Sequence, residues 1–237
     1  MISVLVPAHD EENWLGGCLD SIAAAARAVD EPVEIVVCLN RCTDSTETIA
    51  RERGAVLVRE DAKNLSKIRN AAARAAGGDV LVTIDADSRM SPGMLAEVRR
   101  RMDGGKTIGG GVARVRPERW SLGIVCGALL VAPFVFRHGV TCGLFWTRAE
   151  DYWRIGGFDE ALVSVEDVDF AVRLKREGKR QGKRYGHIWR EELQTSCRKF
   201  DWFGDWFLVK NPSIIRRAFN GSDEKVANQV WYDAKRR

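Results

Sequence analysis

Runs of consecutive apolar residues alternate with stretches of helical periodicity along the first half of the chain. The apolar runs predict strands covered on both faces, at residues 2–7, 33–39, 55–58 and 79–84. Apolar side chains at helical spacing predict helices between these strands, at residues 12–29, 44–53, 66–76 and 91–102. This alternation predicts an α/β fold whose mostly parallel central sheet is wound with helices.

The second half of the chain is less regular. We expect a strand near residues 143–147, a helix at 166–177 and an aromatic-rich tail from Phe200. No internal repeat or long linker interrupts the sequence, so a single domain over residues 1–237 is predicted.

Two carboxylates follow the fourth predicted strand, as Asp85-Ala86-Asp87. Residues two apart in an extended segment point the same way, so Asp85 and Asp87 can face one ligand. Hard oxygen ligands suit Mg²⁺ or Mn²⁺, and ligands of parallel sheets bind at the carboxyl ends of the strands. A turn or helix cap is the alternative for such a motif, but its position at this edge favours a metal site.

A second acidic group, formed by Glu166, Asp167 and Asp169, opens the predicted helix of the second half. Ser164 with Asp167 fits a capping box, and acids in a first turn are stabilised by the helix dipole. The same position keeps a carboxylate ionised, as a general base requires. The residues alone leave both interpretations open.

Other polar candidates lie after the first two strands. Asn40 can present its amide to a nucleobase edge, whereas Asp44 with Glu47 also reads as a capping box. His9 follows the first strand and His187 is a candidate metal ligand, although a structural role is the default for each. The sequence has no P-loop and no GxGxxG motif, so a bound diphosphate needs a metal to screen its charge.

Charge and apolar character are concentrated in two segments of a chain with a net charge of only +4. Eight Lys and Arg residues lie between Arg173 and Arg190 against one acid, which fits a solvated helix face running into a loop, a phosphate-bearing ligand or an anionic membrane surface. Residues 120–136 are apolar but shorter than the roughly 20 residues of a membrane span, so a buried helix or an interfacial segment is expected. Scattered cysteines and a strand starting at Ile2 predict a cytoplasmic protein with reduced thiols.

In order, these segments resemble the family 2 glycosyltransferases, which have the GT-A fold. The resemblance rests on the stretches VLVPAHDE, IVVCLNRCTD, Arg69-Asn70, DAD, GLFWTR, IGGFDE, Glu166-Asp167 and QTSCRKF. It implies a Rossmann-like nucleotide-binding half at residues 1–105, an acceptor and catalytic half at 106–203 and a helical tail at 204–237. The second stretch has Leu39 and Asn40 where the family has paired aspartates.

The resemblance also implies roles for residues. Asp167, with Glu166 beside it, would be the general base, and Arg198 or Lys199 would neutralise the leaving diphosphate. Asp85, Asp87 and the candidate His187 would hold the metal. The donor would be bound by Pro7, Ala8, His9, Glu11, Asn40, Asp44, Arg69, Asp85, Ala86 and Arg198.

The implied activity is inverting, metal-dependent transfer of a sugar from a UDP- or GDP-sugar to a hydroxyl or lipid-phosphate acceptor, with Mn²⁺ or Mg²⁺. The basic block and the apolar segment suit a lipid-linked acceptor and peripheral contact with the inner face of a membrane. The alternative is a catalytically silent nucleotide-sugar-binding or scaffold protein on the same fold. Nucleic-acid binding would leave the strand-end acids unexplained, because carboxylates repel phosphates, and it is not expected.

Overall fold

The computed structural model describes residues 1–136, 138–141, 143–162 and 164–211. Its strands are β1 (Ile2–Ala8), β2 (Val33–Leu39), β3 (Val56–Arg59), β4 (Val80–Ile84), β5 (Ser88–Met90), β6 (Thr107–Pro117), β7 (Leu144–Arg148) and β8 (Arg184–Thr195). Its helices are α1 (Leu15–Ala26), α2 (Thr46–Glu52), α3 (Leu65–Ala75), α4 (Met94–Asp103), α5 (Leu122–Phe136), α6 (Ala149–Arg154), α7 (Glu166–Arg180), α8 (Arg198–Phe203) and α9 (Phe207–Lys210).

The strands form one eight-stranded sheet in the order β3-β2-β1-β4-β7-β6-β8-β5. The first four strands of that order are parallel, so their carboxyl ends meet at one edge. Beyond β4 the sheet is mixed, because β7 is antiparallel to both β4 and β6, whereas β8 is parallel to β6 and antiparallel to β5. The predicted α/β fold is confirmed, and the sheet is parallel through the strands of the first half and mixed in the second half.

The core lies on both faces of the sheet, and every residue of β1 and β4 is buried. In the second half, Trp146 of β7 is fully buried where β6 and β8 approach closely. A Cβ on Gly110 would lie 1.9 Å from the carbonyl oxygen of Gly186 and 2.8 Å from the Trp146 ring. Only glycine therefore permits this pairing of β6 with β8 beside the indole.

The strands and helices predicted in the first half are confirmed within a few residues at their ends. Strands β5, β6 and β8 were not predicted. Three consecutive glycines in β6 and charged residues in β8 hide the alternation that marks a strand. In the basic block, helix α7 runs into a turn at 181–183, and the predicted loop ends there because residues from Arg184 onward lie on β8.

Polar residues near three helix starts make specific contacts. Helix α4 begins at Met94 after Gly93, three residues later than predicted, and the Ser91 hydroxyl donates to Glu191. The N-cap of α7 is Val165 rather than Ser164, and Val165 adopts the left-handed conformation with φ 54°. Glu47 pairs with arginine side chains rather than with the start of α2.

The apolar segment forms α5, and of its two predicted alternatives, a buried helix or an interfacial segment, the buried helix is wrong. Leu122 and Leu129 are 77% and 67% exposed, and Trp120 just before the helix is also exposed. No helix within the described parts of the chain has both the length and the apolarity needed to cross a membrane. Most of the predicted tail lies outside the described residues, and α9 falls in its described part.

Candidate active site

Polar residues from three separate segments meet at the carboxyl edge of the parallel strands. His9 and Glu11 follow β1, Asn40 follows β2, and Asp85 follows β4. The backbone amide of Asn40 donates to the carbonyl of Ala8, which fixes the first two loops side by side. These residues therefore lie at the predicted edge of the sheet, where the parallel strands end.

Arg69 on α3 joins the end of β4 to the start of α7. Its Nη2 donates to Asp85 Oδ1 at 2.8 Å and its Nη1 donates to Glu166 Oε1 at 2.9 Å. The guanidinium is buried and lies 4.9 Å from the centre of the Phe158 ring. One side chain thus brings together acids that are 81 positions apart in the sequence, which places the two predicted acidic groups in one site.

Glu166 and Asp167 differ in environment although they are adjacent. Burial raises the pKa of Glu166, and the charge of Arg69 opposes that shift. Asp167 is half-buried in the first turn of α7, where the amide of Val168 donates to its Oδ1 at 2.7 Å. Of the two, Asp167 is the carboxylate that is accessible at the helix N-terminus.

Arg198 on α8 forms a second bridge at the same edge. Its Nη1 donates to Glu11 Oε2 at 2.5 Å. Its Nε lies 3.0 Å from Asp87 Oδ2 without the alignment of a hydrogen bond, so that contact is ionic. The guanidinium also lies over the rings of Trp14 and Trp202, at 5.1 and 5.8 Å from their centres.

The neighbours of Asp87 complete the site on the side of β8. The hydroxyl of Ser196 donates to Asp87 Oδ2 at 2.7 Å. Burial lowers the pKa of Lys199, while the charges of Asp87, Asp85 and Glu166 oppose that shift, so the amine lies near all three acids. Trp14 and Ser196 were missed by the sequence analysis, because Trp14 reads as a core position of a helix.

The site carries an excess of negative charge. Five carboxyl groups (Glu11, Asp85, Asp87, Glu166, Asp167) face three cations (Arg69, Arg198, Lys199), which leaves two negative charges when all are ionised.

The carboxylates of Asp85 and Asp87, in a site with an excess of negative charge, fit a divalent cation. The side chain of Asp85 is 43% exposed, and its Oδ1 accepts the hydrogen bond from Arg69. The described residues contain no group of three or more His, Cys, Asp or Glu that could hold a metal by themselves. Mg²⁺ in nucleotide sites usually takes one or two carboxylates, with substrate phosphates and water as the other ligands. Asp85 and Asp87 therefore fit a cation that arrives with a diphosphate.

Asn40 and Asp44 organise the loops at the edge of the site. The Asn40 Nδ2 donates to the carbonyls of Glu60 and Ala62, so its amide hydrogens are used within the fold. Asp44 accepts from the backbone amides of Thr46 at 3.0 Å and Glu12 at 3.1 Å. These contacts support structural roles and argue against base recognition by the Asn40 amide.

The smaller residues of the first strand and the acidic motif are also at this edge. His9 Nδ1 lies 2.6 Å from the carbonyl oxygen of Asn40. Pro7 is buried in β1, and the methyl groups of Ala8 and Ala86 pack in the core. A ligand can therefore reach Ala8 and Ala86 only through their backbone.

The assignment of His187 as a metal ligand with the two aspartates is wrong. His187 lies on β8 with its Nδ1 3.3 Å from the Thr141 hydroxyl, whereas the amide of Ser196 donates to the Asp87 carbonyl. Nine positions separate His187 from Ser196 along this strand. At about 3.3 Å per residue, the imidazole is roughly 25–30 Å from the acidic motif.

Comparison with known protein families identifies the family of this chain. The model of glycosyl transferase family 2 matches residues 3–123, which is just over half of the chain. The chain belongs to glycosyl transferase family 2. That match includes β1, β2, β4 and both residues of the acidic motif, Asp85 and Asp87.

Curated relatives match over a part of the chain. An uncharacterized glycosyltransferase of Mycobacterium tuberculosis is 31% identical over 107 residues, which are 45% of this chain and 46% of that protein. The chain spans less than half the length of the curated relatives that it matches, between 24% and 46%.

Solved structures show that the fold of this family 2 member is of the GT-A type. TarS of S. aureus, in complex with UDP-GlcNAc, has a TM-score of 0.62 at 17% identity, over 97% of this chain and 70% of that one. The mannosyltransferase PcManGT of Pyrobaculum calidifontis, in complex with GDP-Man and Mn²⁺, has a TM-score of 0.65 at 20% identity, over 94% and 63%. At these identities the likeness concerns the fold.

Proposed function

We propose that this family 2 member transfers a sugar from a nucleoside diphosphate donor to a hydroxyl or lipid-phosphate acceptor, with inversion at the anomeric carbon. The observation that carries the proposal is the pair of bonds from Arg69 to Asp85 and Glu166, which joins the two acidic groups at one edge of the sheet. In this proposal the chain is one domain, with the donor on residues 1–105 and the acceptor on 106–203.

The donor end of the reaction requires charge screening on the departing diphosphate. When bound, Mn²⁺ or Mg²⁺ supplies Lewis-acid stabilisation of that charge, which is worth several kcal/mol. Asp85 and Asp87 would hold it, and Arg198 and Lys199 would add positive charge beside the phosphates. Neighbours of the same fold bound to UDP-GlcNAc and to GDP-Man with Mn²⁺ support a nucleotide-sugar donor and leave the base open between uracil and guanine.

The acceptor end requires a base that takes the proton of the attacking hydroxyl. Asp167 is favoured over Glu166 because Glu166 is buried and bound to Arg69, which makes it a positioning residue. Asp167 lies in the first turn of α7, where the helix dipole favours negative charge, and its Oδ1 accepts from the Val168 amide. As the proton moves to Asp167, the acceptor oxygen attacks the anomeric carbon and the bond to the diphosphate breaks.

The proposal also includes a lipid-linked acceptor and peripheral contact of the protein with a membrane. They are supported by the exposed side of α5, where Leu122, Leu129 and Leu130 face solvent, and by the neighbouring exposed ring of Trp206. Apolar side chains beside exposed tryptophans are typical of segments that lie at a membrane interface.

A transfer assay with Mn²⁺ and a panel of UDP- and GDP-sugars tests the proposal, with donor hydrolysis measured where no acceptor is known. Asp167→Asn is expected to lower kcat at least about 100-fold, because a positioned base contributes about 10²–10⁴-fold. Asp169→Asn is the matched control, since this acid of the same helical turn pairs with Arg173. Full turnover in Asp167→Asn would contradict the assignment of Asp167 as the base. Binding of nucleotide without any turnover in the wild type would instead support the silent binding protein.

A further inference from the structure

Arg41 is a cation at the edge of the candidate site that has no part in the proposed reaction. It lies two positions after the end of β2, and its side chain is half-buried. Within the described ranges of the chain Arg41 forms no ion pair, whereas Arg69 and Arg198 at the same edge are both paired with acids. Its positive charge is therefore available to a ligand.

One edge of the Arg41 guanidinium is held by the neighbouring residue. Its Nε and Nη2 donate to Asn40 Oδ1 at 3.2 and 3.1 Å. The Asn40 side chain is fixed in turn, because its Nδ2 donates to the carbonyls of Glu60 and Ala62. A guanidinium is planar and has N–H donors on every edge. The edge formed by Nη1 and Nη2 therefore presents two parallel N–H groups that have no acceptor among the described residues.

The backbone of Arg41 adopts a conformation that is rare for this residue type. Its φ is 52°, in the left-handed region, where a β-carbon crowds the following carbonyl. Glycine adopts this conformation most readily. Strained residues of this kind persist where the surrounding structure fixes them, and they are concentrated at ligand sites. The strain at Arg41 therefore agrees with a role of its side chain in ligand binding.

The position of Arg41 suits the base of a nucleotide whose diphosphate lies at the acidic motif. Strand β1 lies between β2 and β4, so the ends of β2 and β4 are two strand spacings apart across the sheet, roughly 10 Å. In a nucleoside diphosphate the ribose separates the base from the phosphates. A diphosphate bound through a cation to Asp85 and Asp87 can therefore place its base beside the loop that follows β2.

The two parallel N–H groups of Arg41 match guanine and not uracil. Guanine has two neighbouring acceptors, O6 and N7, and bidentate contact of arginine with both is the commonest specific pairing of a side chain with a base. Uracil has no two neighbouring acceptors, since the N3–H donor lies between its two carbonyl groups. Adenine has an amino donor beside N7, so it also mismatches this edge. Asn40 Oδ1, which could accept from N3–H of uracil, already accepts two bonds from Arg41.

We propose that Arg41 recognises O6 and N7 of guanine through Nη1 and Nη2, so that the sugar donor is a guanosine diphosphate sugar. This inference rests on the proposed function, in which the base is open between uracil and guanine. Asn40 holds the opposite edge of the guanidinium and is a positioning residue. Because Asn40 is itself bound to the carbonyls of Glu60 and Ala62, the base site is built from the loops that follow β2 and β3.

Binding of nucleoside diphosphates to the full chain, measured by calorimetry with Mn²⁺, tests this proposal. GDP is expected to bind at least about tenfold more tightly than UDP or ADP, because one good bidentate contact to a base gives this much discrimination. An analogue of GDP with carbon in place of N7 keeps O6 and loses one of the two hydrogen bonds. We expect this analogue to bind several-fold more weakly than GDP.

Two variants of Arg41 separate base recognition from charge and from folding. Arg41→Lys keeps the positive charge without the planar pair of donors, and Arg41→Gly keeps the backbone conformation. In both variants GDP and UDP are expected to bind within about threefold of each other. Relief of the left-handed strain offsets the lost bonds to Asn40 in Arg41→Gly, so its Tm should stay close to that of the wild type. Arg51→Gln is the control that should keep the preference for GDP, since this exposed arginine of α2 pairs with Glu47.

UDP that binds as tightly as GDP to the wild type would overturn this inference and leave the proposed function intact. A preference for GDP that persists in both Arg41→Lys and Arg41→Gly would also overturn it, because another group would then recognise the base. So would variants that weaken GDP and UDP by the same factor, which would make Arg41 a structural residue. If no nucleotide binds with Mn²⁺, the proposed function itself fails, and this inference fails with it.

Discussion

Arg69 is the side chain on which the candidate site most depends, and Arg69→Met tests this. Methionine keeps much of the apolar volume but leaves Glu166 buried without its guanidinium partner. Removing one member of a buried ion pair costs about 3–5 kcal/mol. The buried Nε of Arg69 has no hydrogen-bond partner, so its removal recovers part of the loss. We therefore expect Arg69→Met to lower the free energy of unfolding by about 3 kcal/mol, the lower end of that range.

The loss should be visible as a lower melting temperature. For a chain of this size, 1 kcal/mol corresponds to about 2–4 °C, so Arg69→Met should lower Tm by about 6–12 °C. Arg74→Met is the matched control on the same helix, because Arg74 is exposed in its pair with Glu160. An exposed pair contributes at most about 1 kcal/mol, so the control should lose no more than about 4 °C.

The dependence of the loss on pH identifies its cause. Burial already raises the pKa of Glu166, and removing Arg69 raises it further. A folded-state pKa above the unfolded value means that the folded protein binds more protons between the two values, so stability falls as the pH rises through that window. Arg69→Met should therefore lose more stability at about pH 8 than at about pH 5. A Tm loss no larger than that of Arg74→Met, or one equal at both pH values, would refute the reasoning.

Other predictions follow from single contacts. In an Mn²⁺-dependent transfer assay, His187→Ala should keep the metal dependence of the wild type, whereas Asp87→Asn should lower turnover at least about 100-fold. Val165→Asn should raise Tm by about 2–4 °C, because asparagine tolerates the left-handed conformation that strains valine; an unchanged Tm would argue against that strain. Gly110→Ala should cost about 3 kcal/mol or more in chemical denaturation, since its Cβ meets the Gly186 carbonyl. Leu129→Ser should change stability by less than about 0.5 kcal/mol, yet reduce co-sedimentation with anionic vesicles if α5 contacts a membrane.

The first half of the fold was predictable because its signals are local. Each of β1, β2 and β4 is an apolar run, and parallel pairing gathers their carboxyl ends, so the place of Asp85 and Asp87 followed from sequence order. The second half of the fold was not predictable, because β6 and β8 contain glycines and charged residues whose pattern does not indicate a strand.

The sequence by itself determined the α/β class, the sheet edge of the candidate site and the acids at that edge, because strand periodicity and residue type are local properties of the sequence. Only the tertiary structure decided which of these groups meet. Arg69 and Arg198 join acids from distant segments, since a long guanidinium side chain can contact two carboxylates at once and spacing along the chain does not reveal which ones. The same holds for His187, which a long strand places away from the acidic motif, and for α5, whose Leu122 and Leu129 face solvent although an apolar run of this kind is compatible with a buried helix.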